Sequence, residues 1–166
     1  MPDNTQIKAV VITTSDSREE KDDLSGVTLV GLLLAAGAEV IDKIIVSDDA
    51  EKIAEALTAQ AAREDVNLIL TTGGTGLAPR DNTPEATRTV IEKEVPGMAE
   101  AMRLGSLEKT PTAMLSRGVC GTRGECLIIN LPGSPNAVRE CFEIVKPVLQ
   151  HAVNLLTGKS EHKLIN

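Results

Sequence analysis

Glycines, hydroxyls, carboxylates and a few basic side chains follow four apolar segments of this sequence, and together they suit phosphoryl chemistry. They lie at positions 15–18, 47–49, 73–76 with 80–82, and 132–135. Backbone N–H groups of glycine turns and helix N-termini bind phosphate oxygens, and one or two carboxylates hold Mg²⁺ beside phosphates. If these four loops converge in the fold, the sequence predicts a site for a phosphorylated ligand.

The turn Gly73-Gly74-Thr75-Gly76 is the densest of these signals. A tight turn between a strand and a helix would also account for it, because glycine adopts positive φ at no steric cost. The turn is not a P-loop, since no Lys-Ser or Lys-Thr pair follows it, and Pro79 removes the match to the dinucleotide-binding pattern. Three glycines in four residues directly after a buried strand favour a close backbone approach to a ligand.

Three acids in these loops leave two interpretations open. Either Asp48 or Asp49 can be the N-cap of the helix that follows, and Asp81 can interact with the dipole of a helix near Thr83. Alternatively, two carboxylates at neighbouring strand ends can hold Mg²⁺ beside phosphates. The spacing alone does not favour one interpretation over the other.

The remaining polar residues of these loops have simpler interpretations. Ser134 and Pro135 form a good N-cap and N1 pair, and a phosphate at this helix N-terminus is compatible with them but not required. Taken singly, Arg18 and Arg117 are interpreted as solvated side chains, and residues 19–23 as a solvated loop.

Apolar periodicity predicts the elements that position these loops. Residues 7–14, 40–46 and 66–72 are rich in β-branched side chains, as buried parallel strands are. Residues 117–130 predict a hairpin that turns near positions 122–124.

Helix signals alternate with these strands. Ser25 is the predicted N-cap of the first helix, Thr83 that of a later one, and Ser134 that of the last. A helix also follows the second strand, and a short one is predicted over residues 98–107. Pro147 is expected to kink or divide the last helix.

This alternation predicts an α/β fold with three layers, α/β/α, and a mostly parallel sheet with one antiparallel β-hairpin element. We expect a single domain over residues 1–166, with its core at about residues 6–157. Ligands of such sheets bind outside the carboxyl ends of the strands, where all four loops would meet.

Composition excludes several other classes of function. The 166 residues include 24 acids and 17 Lys and Arg, a net charge of −7, and one aromatic residue, Phe142. Nucleic-acid binding needs a basic surface or stacking aromatics, so no nucleic-acid partner is expected. Cys120, Cys126 and Cys141 form no C-x-x-C pair, which argues against a disulfide framework or a zinc site. No signal peptide or membrane-length apolar run is evident, so we expect a cytoplasmic protein without a membrane partner.

These motifs resemble those of the MogA/MoaB type of molybdopterin-binding proteins, a family of molybdenum-cofactor biosynthesis. The resemblance is carried by T-T-G-G-T-G at positions 71–76, R-D-N-T-P-E-A at 80–86 and L-P-G-S-P at 131–135. Shorter matches extend it from about residue 7 to residue 156. One departure is Ser47, because the family commonly has proline before the first acid of this loop.

The resemblance implies a homotrimer, or sometimes a hexamer, that adenylylates molybdopterin with Mg²⁺ and ATP. AMP would be transferred to the terminal phosphate of the pterin, and pyrophosphate would leave. Asp48 and Asp81 match the family's functional acids and are the expected catalytic residues and possible Mg²⁺ ligands. The residues expected to bind the substrates are Ser15, Asp16, Gly73, Gly74, Thr75, Gly76, Ser116, Arg117, Gly133 and Ser134.

Two other functions remain open within the same resemblance. One is a protein that binds and delivers molybdopterin without catalysis. The other is a nucleotide hydrolase of the CinA type, which the resemblance favours less because those domains usually sit in longer chains. Both alternatives share the α/β fold, so only activity or binding separates them from the adenylyltransferase.

Overall fold

The computed structural model describes residues 4–159 and shows one six-stranded sheet with helices on both faces. The strands are β1 (Lys8–Thr14), β2 (Glu39–Val46), β3 (Leu68–Thr72), β4 (Lys93–Glu94), β5 (Cys120–Arg123) and β6 (Cys126–Leu131). The α-helices are α1 (Leu24–Ala35), α2 (Ala50–Ala61), α3 (Thr83–Val90), α4 (Pro96–Leu107) and α5 (Pro135–Leu156), with 3₁₀ turns at Glu20–Asp22 and Pro111–Leu115. Within the described residues, no helix is long and apolar enough to cross a membrane.

The strand order β2-β1-β3-β6-β5-β4 confirms the predicted mostly parallel sheet. Strands β2, β1, β3 and β6 are parallel, and β5 pairs antiparallel with β6 as the predicted hairpin. The two-residue strand β4 adds a second antiparallel pair at the edge, which the sequence did not indicate. Strands this short leave little periodicity to detect.

Two aliphatic clusters on opposite faces of the sheet make up the core, as the three-layer prediction requires. One packs α1, α4 and α5 against the sheet around Phe142, and the other packs α2 and α3 around Ile53 and Leu57. Successive side chains of a strand point to opposite faces, so Val11 joins the first cluster and Ile12 the second. The burial of hydrophobic side chains on both faces stabilises the sheet and fixes its register.

The register brings the carboxyl ends of all four parallel strands to one level. Thr14 pairs with Val46, Thr13 with Thr72, and Thr72 with Leu131. The four polar loops predicted to meet therefore begin side by side along the same edge of the sheet.

Two predicted helix starts are wrong. Asp23, rather than Ser25, is the N-cap of α1, and its carboxylate accepts a hydrogen bond from the N–H of Gly26. Asn82, rather than Thr83, is the N-cap of α3, and no side-chain capping bond is present there. In both cases the hydroxyl expected to cap has a partner elsewhere, Arg18 for the first and the carbonyl of Gly73 for the second.

Proline positions also differ from the prediction. Helix α4 begins at Pro96 rather than at residue 98, with the proline in the first turn, where its missing N–H costs nothing. Helix α5 continues for 22 residues through Pro147, so the predicted division is wrong. The buried side chains of Val145 and Leu149 hold the helix against the core on both sides of this proline.

Candidate functional site

The loops after β1 and β2 are joined by a reciprocal pair of hydrogen bonds between two acids. The N–H of Asp16 donates to Oδ2 of Asp48, and the N–H of Asp48 donates to Oδ1 of Asp16, both over 3.0 Å. The side chain of Asn82 adds the loop after β3, because its Nδ2 donates to the carbonyl of Asp48 over 2.9 Å. The predicted convergence of these loops is thus present, and Asn82, which belongs to one of the loops named from the sequence, takes part through its side chain.

Asp16 is neutralised by Arg80. The guanidinium donates two hydrogen bonds of 2.9 Å to the two carboxylate oxygens of Asp16. These bonds, with the one from the N–H of Asp48, hold the pKa of Asp16 below its usual value. Asp16 therefore remains ionised and serves to fix the loop geometry, while Arg80 brings a cation to the edge of the site.

The pKa of Asp48 is shifted in the opposite direction from that of Asp16. Burial raises the pKa of Asp48, and the negative charges of Asp16 and Asp81 raise it further. A carboxylate that is costly to ionise beside other acids is stabilised by a cation. The structure therefore marks Asp48 as the acid of this edge whose charge is least compensated.

The donor set fits Mg²⁺ in its phosphate-bound mode. Among the described residues there is no cluster of three or more acids, histidines or cysteines able to hold a metal by itself. Magnesium in nucleotide sites is usually bound by one or two carboxylates together with substrate phosphates and water. Asp48 and Asp81 are the two carboxylates of this edge that could hold Mg²⁺ in this way, and the charge of Asp81 raises the pKa of Asp48.

Backbone contacts hold the glycine turn close to its neighbours. Gly73 and Gly74 have φ values of +99° and +66°, which side-chain-bearing residues rarely adopt. A Cβ on Gly73 would lie 2.6 Å from the carbonyl oxygen of Thr14, and a Cβ on Gly133 would lie 3.3 Å from Cα of Gly73. The loops after β1, β3 and β6 thus pack closely against one another, and glycine is needed where they meet.

Arg117 fastens this turn to the segment before β5. Its Nε donates to the carbonyl of Gly76 and its Nη2 to the carbonyl of Asp81, both over 2.8 Å, and it forms an ion pair with Glu85. The N–H of Arg117 also donates to the carbonyl of Thr75. The interpretation of Arg117 as a solvated side chain is wrong, because two carbonyls and the Glu85 carboxylate accept hydrogen bonds from its guanidinium.

Arg18 and Asp23 differ from the solvated interpretation, whereas residues 19–22 are exposed, as that interpretation predicts. Arg18 donates to Oγ of Ser25 over 2.6 Å and to the carbonyl of Gly133 over 3.0 Å, which links the loops after β1 and β6. Asp23 is buried, and although burial opposes it, hydrogen bonds from Thr13, Lys43 and Gly26 hold the pKa of Asp23 below its usual value. Arg18 and Asp23 therefore anchor the two ends of an otherwise exposed segment.

A cleft of about 230 Å³ opens beside the glycine turn, between α4, the Pro111–Leu115 turn and the start of α5. Most of its exposed surface is apolar, with Met102, Leu115 and Pro132 in the lining, and polar side chains such as Thr110 and Thr112 also line it. Three of the expected site residues, Thr75, Gly76 and Ser116, line this cleft.

The other expected residues are not among those that line the cleft. The positions of Gly73, Gly74, Gly133 and Arg117 are described above, and the remaining five fall into two groups. Asp16, Asp48 and Asp81 form the acidic edge beyond the glycine turn. Ser15 and Ser134 use their hydroxyl oxygens locally, accepting hydrogen bonds from the N–H groups of Arg18 and Ala137 respectively. The glycine turn lies between the acidic edge and the cleft and contributes to both compartments. Gly76 lines the cleft, and the Asp81 carboxylate oxygen lies 2.8 Å from the position that a Cβ on Gly76 would take.

Sequence reasoning missed the residues that α4 and α5 contribute to the cleft. Arg103 and Glu140 lie on helical positions whose pattern indicates ordinary amphipathic helices. Burial raises the pKa of Cys120 and of Cys126 to about 12, so neither is a nucleophile at neutral pH.

Comparison with known proteins decides the family. Residues 10–151 match the family model of a probable molybdopterin binding domain. The chain belongs to this family. The resemblance to MogA/MoaB-type proteins is thereby confirmed, and it extends over most of the fold described above.

Individual relatives agree with this assignment. The chain is 47% identical over 150 residues to the molybdenum cofactor synthesis protein cinnamon of Drosophila melanogaster, covering 88% of this chain and 25% of that protein. It is 47% identical over 114 residues to the molybdopterin adenylyltransferase of Helicobacter pylori strain J99, covering 69% of this chain and 65% of that enzyme. The match thus spans less than two thirds of both relatives.

A solved structure confirms the fold. The crystal structure of the molybdopterin biosynthesis enzyme MoaB from Thermus thermophilus superposes with a TM-score of 0.85 at 50% sequence identity. The alignment covers 92% of this chain and 98% of that one. The α/β architecture is therefore that of the MogA/MoaB proteins.

Proposed function

We propose that this protein acts in molybdenum-cofactor biosynthesis as a molybdopterin adenylyltransferase. It would transfer AMP from ATP to the terminal phosphate of molybdopterin and release pyrophosphate. The observation that carries this proposal is the pair of compartments that share the glycine turn, an acidic edge on one side and a largely apolar cleft on the other. A reaction that joins a nucleotide to a ring-bearing phosphate needs two such subsites side by side.

The position of each residue suggests which part of the substrates it would bind. Gly73 and Gly74, with Gly133 packed against them, would receive phosphates on their backbone, because a side chain there would collide with its neighbours. Thr75, Gly76 and Ser116 would hold the pterin end, since they line the cleft. Arg117 would keep Gly76 and Asp81 in place through their carbonyls. The geometry thus favours positioning of the two substrates, which is the main source of rate in such transfers.

Charge is the other requirement of the reaction. A phosphate oxygen of molybdopterin forms a bond to the α-phosphorus of ATP while the bond to pyrophosphate breaks, so two anionic groups must approach each other. Mg²⁺ bound by Asp48 and Asp81 would neutralise part of this charge. Arg80, held beside Asp48 by Asp16, would supply a fixed positive charge at the same edge.

Incubation of the protein with ATP, Mg²⁺ and molybdopterin tests the proposal. Adenylylated molybdopterin and pyrophosphate should form in equal amounts, and neither should form when molybdopterin is omitted. Tight pterin binding without pyrophosphate release would instead select a delivery protein. Pyrophosphate or phosphate release without pterin would select a nucleotide hydrolase of the CinA type.

We further propose a homotrimer, or a hexamer built from it, acting in the cytoplasm. Several large apolar side chains of the described surface are exposed, among them Leu24, Val27 and Leu34 on α1. An exposed apolar helix face is typical of a surface that another protein covers. Light scattering at micromolar concentration should give three or six times the 17.6 kDa chain mass, and a monomer would contradict the assembly.

A further inference from the structure

One carboxylate, that of Glu140, lies in the wall of the otherwise largely apolar cleft. It is the sole acid among the described residues that line the cleft, and Arg103 is the sole base among them. The Glu140 side chain is 27% exposed, so the carboxylate is partly withdrawn from water and accessible from inside the cleft. A lone carboxylate in such a wall is suited to accept hydrogen bonds from a ligand.

The groups around Glu140 leave it available. Lys109 lies 3.4 Å from Oε1, but the lysine is 60% exposed, and exposed ion pairs of this kind contribute little. Arg103 is engaged elsewhere, because its Nη1 donates to the carbonyl of Gly118 over 3.2 Å and to that of Ser116 over 3.4 Å. A ligand with two adjacent donors can therefore displace Lys109 at small cost.

The apolar parts of the walls cannot orient a flat ring by themselves. Burial against Met102, Leu115 and Pro132 is favourable but has no direction, and the one aromatic residue of the chain, Phe142, is fully buried in the core. Orientation must come from polar groups at defined places in the lining. Glu140 offers carboxylate oxygens as acceptors on α5, while Thr75 and Gly76 bring the polar groups of the glycine turn into the lining.

We propose that Glu140 is a specificity-determining residue that accepts two hydrogen bonds from the amino-pyrimidine edge of a pterin. This edge carries a 2-amino group next to the N3–H, and a carboxylate can accept both donors at once. The inference rests on the proposed function, which supplies a pterin as substrate. With this edge at Glu140, the phosphate end of the substrate is directed to the glycine turn, beside Asp81.

A pair of ring compounds that differ at this edge tests the proposal. In 6-hydroxymethyllumazine a carbonyl replaces the 2-amino group of 6-hydroxymethylpterin, so one donor becomes an acceptor that faces the carboxylate. The parent protein should bind the pterin at least roughly tenfold more tightly, the value of a lost charge-assisted hydrogen bond. Titration followed by ligand fluorescence or by NMR measures both affinities.

Two variants separate recognition from packing. Glu140→Gln keeps the size of the side chain but presents an amide, and it should reduce the preference for pterin over lumazine to less than roughly threefold. Lys109→Ala breaks the ion pair and leaves the carboxylate, so it should keep the full preference. Lys109 is exposed and Glu140 is half-buried, and unchanged thermal unfolding of the two variants would show that the fold is intact.

The outcomes distinguish this inference from the proposed function. Equal binding of pterin and lumazine by the parent, or an undiminished preference in Glu140→Gln, would refute the role of Glu140 while adenylylation of molybdopterin could persist. Loss of the preference in Lys109→Ala would show that the ion pair, and not the free carboxylate, sets the selectivity. Absence of any pterin binding by the parent would contradict both proposals.

Discussion

Asp48→Asn and Asp81→Asn are each expected to lower the rate of molybdopterin adenylylation by a factor of at least about 100. Each replacement removes one negative charge from the acidic edge and nearly preserves the shape of the side chain. Asp48 also sits where the loops after β1, β2 and β3 meet, and an asparagine oxygen can still accept the hydrogen bond from the N–H of Asp16. The expected loss is therefore one of charge and not of structure. Steady-state pyrophosphate release, measured with saturating Mg²⁺ and ATP, gives the rate.

Asp49→Asn is the matched control for this prediction. Asp49 is the next residue along the chain, but its carboxylate caps α2 by accepting hydrogen bonds from the N–H groups of Glu51 and Lys52. Asparagine is an equally good N-cap, so this variant should keep both stability and activity. Equal losses of activity in Asp48→Asn and Asp49→Asn would indicate a general charge effect and would contradict the specific role of Asp48.

The effect of Asp48→Asn on stability is expected to depend on pH. Burial and the charges of Asp16 and Asp81 raise the pKa of Asp48 in the folded state above the usual value of 3.8. A raised pKa favours folding below the unfolded-state value and loses that contribution as pH rises through the folded-state value. Near neutral pH the ionised carboxylate therefore opposes folding, and Asp48→Asn should unfold at a higher temperature than the parent. Below about pH 4 the two proteins should unfold at the same temperature, because Asp48 is then protonated in both states. Thermal unfolding at neutral and at acidic pH measures the difference.

Gly73→Ala is expected to destabilise the fold by about 3 kcal/mol or more and to abolish adenylylation. At φ +99° an alanine is strained, and its Cβ would lie 2.6 Å from the carbonyl oxygen of Thr14. Because that oxygen belongs to the backbone at the end of β1, it can move only if the strand moves. Urea unfolding measures the change in free energy of unfolding.

Gly124→Ala isolates the conformational part of this effect. Gly124 also has positive φ, +54°, in the turn between β5 and β6, but nothing lies within 4 Å of the position that a Cβ would take. This variant should lose about 1 kcal/mol, the cost of the left-handed conformation alone, and retain activity. If both variants lose the same free energy, the close approach between the glycine turn and β1 does not contribute and the packing argument fails.

The sequence predicts the central strands β1, β3 and β6 well because they are buried on both faces. Continuous β-branched runs such as residues 8–14 and 68–72 are typical of central parallel strands, and the polar loops that follow them mark the strand ends. The convergence of Asp16 and Asp48 followed from that topology, since parallel strands that are neighbours end at the same edge. This part of the candidate site was predictable from order along the chain.

Details that depend on tertiary partners were not predictable. Ser25 and Thr83 have the composition of N-caps, yet their hydroxyls bind Arg18 and the carbonyl of Gly73, which lie outside the helices they were expected to cap. The arginines were misjudged for the same reason, because several of their acceptors are carbonyls that any residue could supply, such as those of Gly133 and Gly76. The cleft was missed because its walls come from helix faces whose pattern is that of core packing.

The glycine turn has a consequence for how this protein can vary. Its fit depends on main-chain atoms at Gly73 and Gly74, where any added side chain meets Thr14 or Thr83. Leu77, a few residues later, is 66% exposed, and nothing in the packing of the turn depends on its side chain. A library of variants across residues 73–79 should therefore divide sharply, with almost every exchange lost at the two glycines and wide freedom at Leu77. Within one short loop, selection therefore preserves the backbone conformation at Gly73 and Gly74 but acts hardly at all on the side chain at Leu77.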